Sequence, residues 1–305
     1  MRIVSARGVL MAVGKDLDSA VVPFAAAISA EAAASRSARD GDAYHITLVS
    51  KKELAELTTT ARKALATQAA ELLPRAGLAG LVCLGVGAAA RGENKAWFVA
   101  LLWPALQLLR QQAGLAPNAP HITLGFDGAD VHDVSKGALT LLSTLATSTL
   151  PPRDWDEVAA VVRQLATSAK PDAGADAECL AAMERLETEA SVGATEAVRA
   201  DLMISRCELH ARLQVAAHDV WETDARAAVA LDRRSARGWL NLGRALCAQR
   251  RFDEAHEATR NAIDRAARAG DPLYGVEAEN LLARMDAAVA SRRERRRGDV
   301  ATLER

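Results

Sequence analysis

The chain has 305 residues, half of them hydrophobic and a quarter charged, with 38 basic against 39 acidic side chains and a formal net charge of −1. That composition is globular rather than disordered, and the length suits two cores better than one. Neither half carries the Lys and Arg excess of a protein that grips long duplex nucleic acid, so a nucleic-acid substrate would be a short end rather than a long tract.

In chain order, "GVLMAVG" (8–14) reads as a short strand, and 18–38 as a helix capped by Asp18 or Ser19 with Pro23 in an early turn. "YHITLVS" (44–50) is the next strand and 51–73 the next helix; "GLVCLGV" (80–86) and "AWFVALLW" (96–103) are two more strands. Pro104 opens a helix through Gln112, and "HITLGF" (121–126) is again a strand. Strands and helices in this mixture predict an α/β or α+β layout. "GVGAAA" (85–90) matches a loose dinucleotide-binding glycine pattern. The next strand follows too soon for a helical crossover, so the reading is a β-hairpin with Gly85, Gly87 and Gly92 supplying the turn.

The pattern changes near Leu150. "LPPRD" (150–154) and "AKPDAGADAE" (169–178) are loop signals, and nearly everything else to the C-terminus is helical and rich in Ala, Leu, Glu and Arg. Two domains are expected, 1–150 and 151–305. The cysteines Cys83, Cys179, Cys207 and Cys247 are isolated, which argues against a zinc ribbon or disulfide framework and suits a reducing cytosol. No segment has the uninterrupted apolar length of a membrane span, and the charge-broken start lacks a signal-peptide layout. A cytoplasmic protein without membrane attachment is the expectation.

The tetrapeptide His-Ile-Thr-Leu occurs twice, at 45–48 and 121–124, in a chain with six histidines. One H-x-T in a strand is ordinary; two identical copies, each in an apolar strand context, are a functional signal. Alternation along a strand puts His45 and Thr47 on one face and Ile46 and Leu48 on the other, and the second copy repeats this with His121 and Thr123. Two such strands side by side would aim two imidazoles and two hydroxyls into one groove. Opening a cyclic phosphodiester needs a base for water on one side of phosphorus and an acid for the departing alkoxide on the other. Paired imidazoles can hold both states at one pH, and threonine hydroxyls can donate to the non-bridging oxygens. No metal or other cofactor is required.

On these residues the chain resembles the two-histidine (2H) phosphoesterases, which carry paired H-x-T/S-hydrophobic motifs in a bilobal, pseudo-symmetric fold. "HITLVSKKEL" and "PHITLGFDGADVHDVSKG" are similar to its Swiss-Army-Knife, RNA-repair-like branch. The resemblance covers roughly 8–150. It implies an α+β fold with one motif per lobe, and metal-free action on 2′,3′-cyclic phosphate RNA ends, small cyclic nucleotides or 2′-5′ linkages. It also implies His45 and His121 as the acid/base pair and Thr47 and Thr123 as phosphate-holding groups. The two motifs are equivalent in sequence, so which His is the base stays open. Two rivals remain: 2′-5′ RNA ligation or cleavage, and a non-catalytic module that senses a phosphorylated nucleotide.

Around the motifs, Lys51 and His132 are candidate substrate contacts, and Tyr44 and Phe126 candidates to stack on a base. Each has a plainer reading. Lys51 would be a solvated first-turn residue, and parity puts Tyr44 on the core face. The stretch around His132, with Asp130, Asp133 and Lys136, would be a polar helix start capped by Asp133 or Ser135.

In the second half, Trp239, Leu242, Gly243, Leu246, Phe252, Ala255 and Ala262 fall where a tetratricopeptide repeat (TPR) places its packing residues, clearest over 236–268. Helices are expected before it at about 219–231 and after it at 273–293. The resemblance implies an all-α, TPR-like domain with a protein or peptide partner; the plainer alternative is helices that dimerise or brace the first domain. His210, His218 and His256 lack metal spacing, and "RRERRR" (292–297) reads as a solvated helix end.

Overall fold

The computed structural model describes residues 1–76, 80–132, 134–142, 154–167, 173–213 and 218–303. They form two compact units, Met1–Gly193 and Ala194–Arg305. The first is built on a six-stranded sheet: β1 (Arg2–Ala6), β2 (Val9–Val13), β3 (His45–Val49), β4 (Val82–Arg91), β5 (Asn94–Leu102) and β6 (His121–Asp127). The order is β1-β2-β3-β6-β5-β4, and every neighbouring pair is antiparallel. The order reads as two copies of one plan, each a hairpin followed by a third strand. The two third strands, which carry the repeated tetrapeptides, meet at the centre.

The first hairpin turns at Arg7 and Gly8, both at positive φ (52° and 79°), which suits the right-handed twist of paired strands. β1 lies outside the sequence-predicted elements: "RIVSA" is a short edge strand with little buried surface, so its apolar pattern is weak. Between β2 and β3 the predicted single helix is broken. α1 (Lys15–Val21) runs into a 3-10 helix (Val22–Ala27) with Pro23 in its first turn, and α2 (Ala30–Asp40) starts afresh where Ser29 Oγ accepts from Ala32 N. The predicted helix after β3 is likewise two, α3 (Lys51–Glu56) and α4 (Thr59–Ala76). A capping box of Ser50 and Glu53 starts α3. The hairpin reading of the glycine-rich stretch holds, with a correction: Gly92 alone lies in the turn. Gly85 sits at a bulge in β4, and Gly87 makes room for the Phe98 ring, whose Cε2 would stand 2.5 Å from a Cβ there.

One face of the sheet is core. Ile46, Leu48, Ile122 and Leu124 are fully buried against Leu65, Ala69 and Leu73 of α4 and Leu106 and Leu109 of α5 (Pro104–Gln112). The buried Arg110 of α5 donates to the carbonyls of Leu48 (2.7 Å) and Ala116 (2.8 Å) and pairs with Glu53 of the capping box. The exit of the first motif strand is thereby tied to the second lobe. Two further helices, α6 (Trp155–Ala166) and α7 (Ala173–Gly193), belong to this unit although their composition resembles the second half. Glu157 accepts from Gly80 N (2.6 Å), Arg185 donates to the Leu84 carbonyl (3.0 Å), and Glu178 accepts from Ser135 Oγ (2.6 Å) and Leu139 N (2.9 Å). The compositional break near 150 therefore marks the end of sheet-forming sequence, whereas the compact units divide at Gly193/Ala194. Much of both predicted loops, 150–153 and 169–172, lies outside the described residues.

The second unit is α8 (Glu196–Leu213), α9 (His218–Leu231), α10 (Ala236–Ala248), α11 (Phe252–Ala269) and α12 (Pro272–Leu303). α9 to α12 fall where the sequence predicts them. α10 and α11 pack closely enough that a Cβ on Gly243 would stand 2.5 Å from Thr259 Oγ1, itself donating to the Ala255 carbonyl. His210 and His256 lie near Asp224 (3.9 Å) and Asp286 (3.3 Å), as packing or surface residues.

α2 crosses β6 at Gly125, where a Cβ would fall 2.6 Å from the carbonyl carbon and oxygen of Ala32. Backbone cannot retract as a side-chain tip can, so Gly125→Ala is expected to lower unfolding stability by about 1–3 kcal/mol in urea denaturation. An unchanged midpoint would mean that the two elements do not meet this closely in solution.

Candidate active site

β3 and β6 pair with Ile46 opposite Ile122. Counting one residue outward in each direction, an antiparallel ladder sets His45 opposite Thr123 and Thr47 opposite His121. All four side chains share the face away from the buried isoleucines. Each imidazole therefore stands beside the hydroxyl of the other motif, with Cβ atoms about 4.5–5.5 Å apart, and the two imidazoles lie on a diagonal of about 7–8 Å.

His45, Thr47 and His121 are half-buried and Thr123 is 8% exposed. His121 Nδ1 lies 3.0 Å from the Ala119 carbonyl. A carbonyl can only accept, so Nδ1 carries the proton and Nε2 of the neutral ring is left with its lone pair. Phe98 packs on the same ring edge-on, at 5.7 Å between centroids and 69° between planes. Phe98 is fully buried, and it can stand there because its β4 partner is Gly87. Among the described residues, neither threonine hydroxyl nor the His45 ring has a hydrogen-bond partner, so these groups are available to a ligand.

A buried cluster of charge adjoins both rings. The Asp130 carboxylate, 3% exposed, accepts from Arg39 Nη1 (2.7 Å) and from Lys136 Nζ (2.8 Å), and the Lys136 side chain is itself 4% exposed. Arg39 also forks onto Asp40, at 2.8 and 2.6 Å. Burial alone would raise the pKa of Asp130; the Lys136 and Arg39 cations override it and hold the carboxyl below its usual range. His45 is lowered from the ordinary imidazole value by burial first, with Asp40 and Asp130 opposing and Arg39 and Arg36 reinforcing. His121 is pushed down to about 4, by burial and then by Lys136, against the weaker pulls of the Ala119 carbonyl and Asp130. The apolar wall of Phe98 and the nearby ammonium act together on this ring.

Of the sequence-predicted site residues, the fold brings together His45, Thr47, His121 and Thr123. His132 is 73% exposed, with Nδ1 3.9 Å from Asp130, beside the cluster. The other three candidate contacts are placed elsewhere. Lys51 is exposed beyond the far end of β3, alongside Gly8 of the first hairpin. Tyr44 packs against the core with the Arg36 guanidinium 4.1 Å above its ring. Phe126 is 6% exposed and covered by Arg39 at 4.6 Å, so it cannot stack on a base. The predicted helix start around Ser135 is a loop, with Ser135 bonded to Glu178 instead of capping; Asp133 lies outside the described residues. Arg39, Asp40 and Phe98 carried no sequence signal as site residues. Asp130 and Lys136 were visible beside His132, but nothing in their spacing told that they bond each other. Among the described residues, no group of three or more His, Cys, Asp or Glu side chains could hold a metal ion.

No curated protein matches the chain. Residues 8–132 match the family model described as the Swiss Army Knife, 2H phosphoesterase domain. The matched segment runs from the first hairpin to the loop after β6 and so contains both motif strands and Asp130. The N-terminal unit of this chain thus contains a 2H phosphoesterase domain, with its two histidine motifs paired at the centre of one sheet.

Proposed function

We propose that this domain is a metal-independent phosphoesterase that opens a cyclic phosphodiester, on a 2′,3′-cyclic phosphate RNA end or a small cyclic nucleotide. The observation that carries the reading is the register of β3 and β6, which sets two imidazoles on a diagonal with a hydroxyl beside each. In the reaction one neutral imidazole takes a proton from water as the oxygen bonds to phosphorus. The P–O bond to the ring alkoxide breaks, and the second imidazole, protonated, gives that alkoxide its proton. Water and a cyclic diester become a phosphomonoester and a free hydroxyl. Thr47 and Thr123 donate to the non-bridging oxygens, whose charge must be held as the bonds exchange. The near-neutral charge of the chain favours a short RNA end or nucleotide over a long tract, in keeping with a role in RNA repair or processing in the cytoplasm. No described helix is long and apolar enough to cross a membrane.

For the second unit we infer a TPR-like interaction module for a protein or peptide partner. In support, Leu242, Leu246, Ala255 and Ala262 are buried, and Trp239 and Phe252 pack on the same cluster, as the repeat pattern requires.

Against a panel of cyclic phosphates and 2′-5′ dinucleotides, His45→Ala and His121→Ala should each lose roughly 10²–10⁴-fold in kcat/KM with the far-UV spectrum retained. Wild-type turnover in either variant removes that ring from the chemistry, and undiminished nucleotide binding without any turnover in the wild type favours the sensing alternative. Activity should survive exhaustive chelation; an absolute requirement for a divalent cation would overturn the mechanism. One ring must be neutral and the other protonated. The rate should therefore rise with pH through the low His121 value and fall through that of His45, which lies below the usual imidazole range. The maximum of kcat/KM belongs on the acid side of about pH 6.5, and a profile still climbing at pH 8 would exclude paired imidazoles.

A further inference from the structure

The two motifs are identical in sequence, so nothing in them says which ring is the base. A bell-shaped pH profile is equally silent, because the two assignments of the proton give curves of the same shape. The surroundings of the two rings are not symmetric. β3 is followed by a capping box and a helix, whereas β6 is followed by a loop, and that loop brings Lys136 back to Phe98, its Nζ 5.9 Å from the ring centroid. Phe98 is the ring that meets the His121 imidazole. Asp130 of the same loop bonds the Lys136 ammonium on one oxygen and Arg39 of α2 on the other.

We propose that Lys136, held by Asp130, is the positioning residue that breaks the equivalence of the motifs, so that His121 is the general base and His45 the general acid. This assignment rests on the phosphoesterase reading above. A fixed, buried cation beside His121 opposes a second positive charge on that ring, while the Ala119 carbonyl holds the Nδ1 proton and leaves Nε2 as the proton acceptor. His45 has charges of both signs around it: the carboxylates of Asp40 and Asp130 favour its cation, with Arg39 and Arg36 opposing, and burial lowers it overall. The charged or titratable groups facing His121 are Lys136, Asp130 and His45. Of these Lys136 acts most strongly, and Asp130, which alone would favour a His121 cation, is already committed to two bases. The ring with the buried ammonium beside it is thus the one kept neutral, and the ring whose charged neighbours are of both signs is left to hold the proton.

Two measurements on the 305-residue chain test this. The first follows the imidazole resonances by NMR as pH is changed, without substrate. Lys136→Met should raise the His121 midpoint by about one unit, a tenfold gain in proton affinity, and Lys136→Arg should restore it. Should Lys136→Met fail to fold because Asp130 loses a partner, Lys136→Met/Asp130→Asn removes both buried charges, and its His121 midpoint should also rise, by less. An unmoved midpoint in a folded variant overturns the role of Lys136, whatever the enzyme's activity. The second uses a p-nitrophenyl phosphodiester, whose leaving group departs as a stable anion and needs no acid. His45→Ala should recover most of its lost rate on that substrate while His121→Ala remains impaired. The reverse pattern would exchange the two roles and sink the assignment without touching the phosphoesterase reading. Wild-type rates in both variants on cyclic phosphates would end that reading without moving the NMR result.

Discussion

Ile46 and Ile122 face each other across the middle of the sheet, and the antiparallel pairing they mark decides where the histidine and threonine of each motif stand. A slip of one residue would turn a whole motif over, sending its histidine and threonine into the helices of the core and its isoleucine and leucine into water. The register is defended from the buried side. Ile46, Leu48, Ile122 and Leu124 are fully enclosed, so the hydrophobic effect that builds the core also aims the polar pairs outward. Arg110 adds a directional tie, because its hydrogen bond to the Leu48 carbonyl fastens the end of the first motif strand to a helix of the other lobe.

The polar side of the sheet is organised differently. Removing Asp130, Lys136 and much of Arg39 from water is unfavourable unless each finds partners, and here one carboxylate serves two cations while Arg39 also engages Asp40. Truncating any one member would leave an uncompensated charge near the rings. Such a network is a costly way to stabilise a domain but an effective way to set local potential, since the low-polarity walls leave its field weakly screened. Two of the groups around the rings are themselves permitted by glycines. Gly87 admits Phe98 beneath His121, and Gly125 admits α2, which carries Arg39 to the cluster.

The second unit meets another constraint. Its helices are rich in alanine, which permits close approach but buries little area per residue, and α10 and α11 meet tightly at Gly243 against Thr259. Ion pairs tie neighbouring helices at defined points. Arg237, 5% exposed, reaches Asp201, Glu208 and Ser205 of α8, and Arg206 forks onto Asp224 of α9. These bonds specify how the helices align where small side chains alone would allow sliding.

By itself the sequence determined the strands and helices with strong periodicity, the duplicated His-Ile-Thr-Leu, and, through alternation, the side of each strand on which its His and Thr lie. These are local properties: period two, a proline and a repeated tetrapeptide are all read within a few residues. It could not place the pairing partner of β3, because sheet order joins segments far apart in the chain and the apolar faces of several strands are interchangeable by composition. Nor could it single out Arg39, Asp130 and Lys136, which are ordinary charges until the fold buries them together, or exclude Phe126, whose ring is lost to Arg39 only in space. The extent of the first unit was illegible for the same reason. α6 and α7 have the composition of the helical half, and only tertiary bonds from Glu157, Glu178 and Arg185 assign them to the sheet. Local pattern carries identity and facing; long-range burial decides neighbours, and it is neighbours that turn two equal histidines into unequal ones.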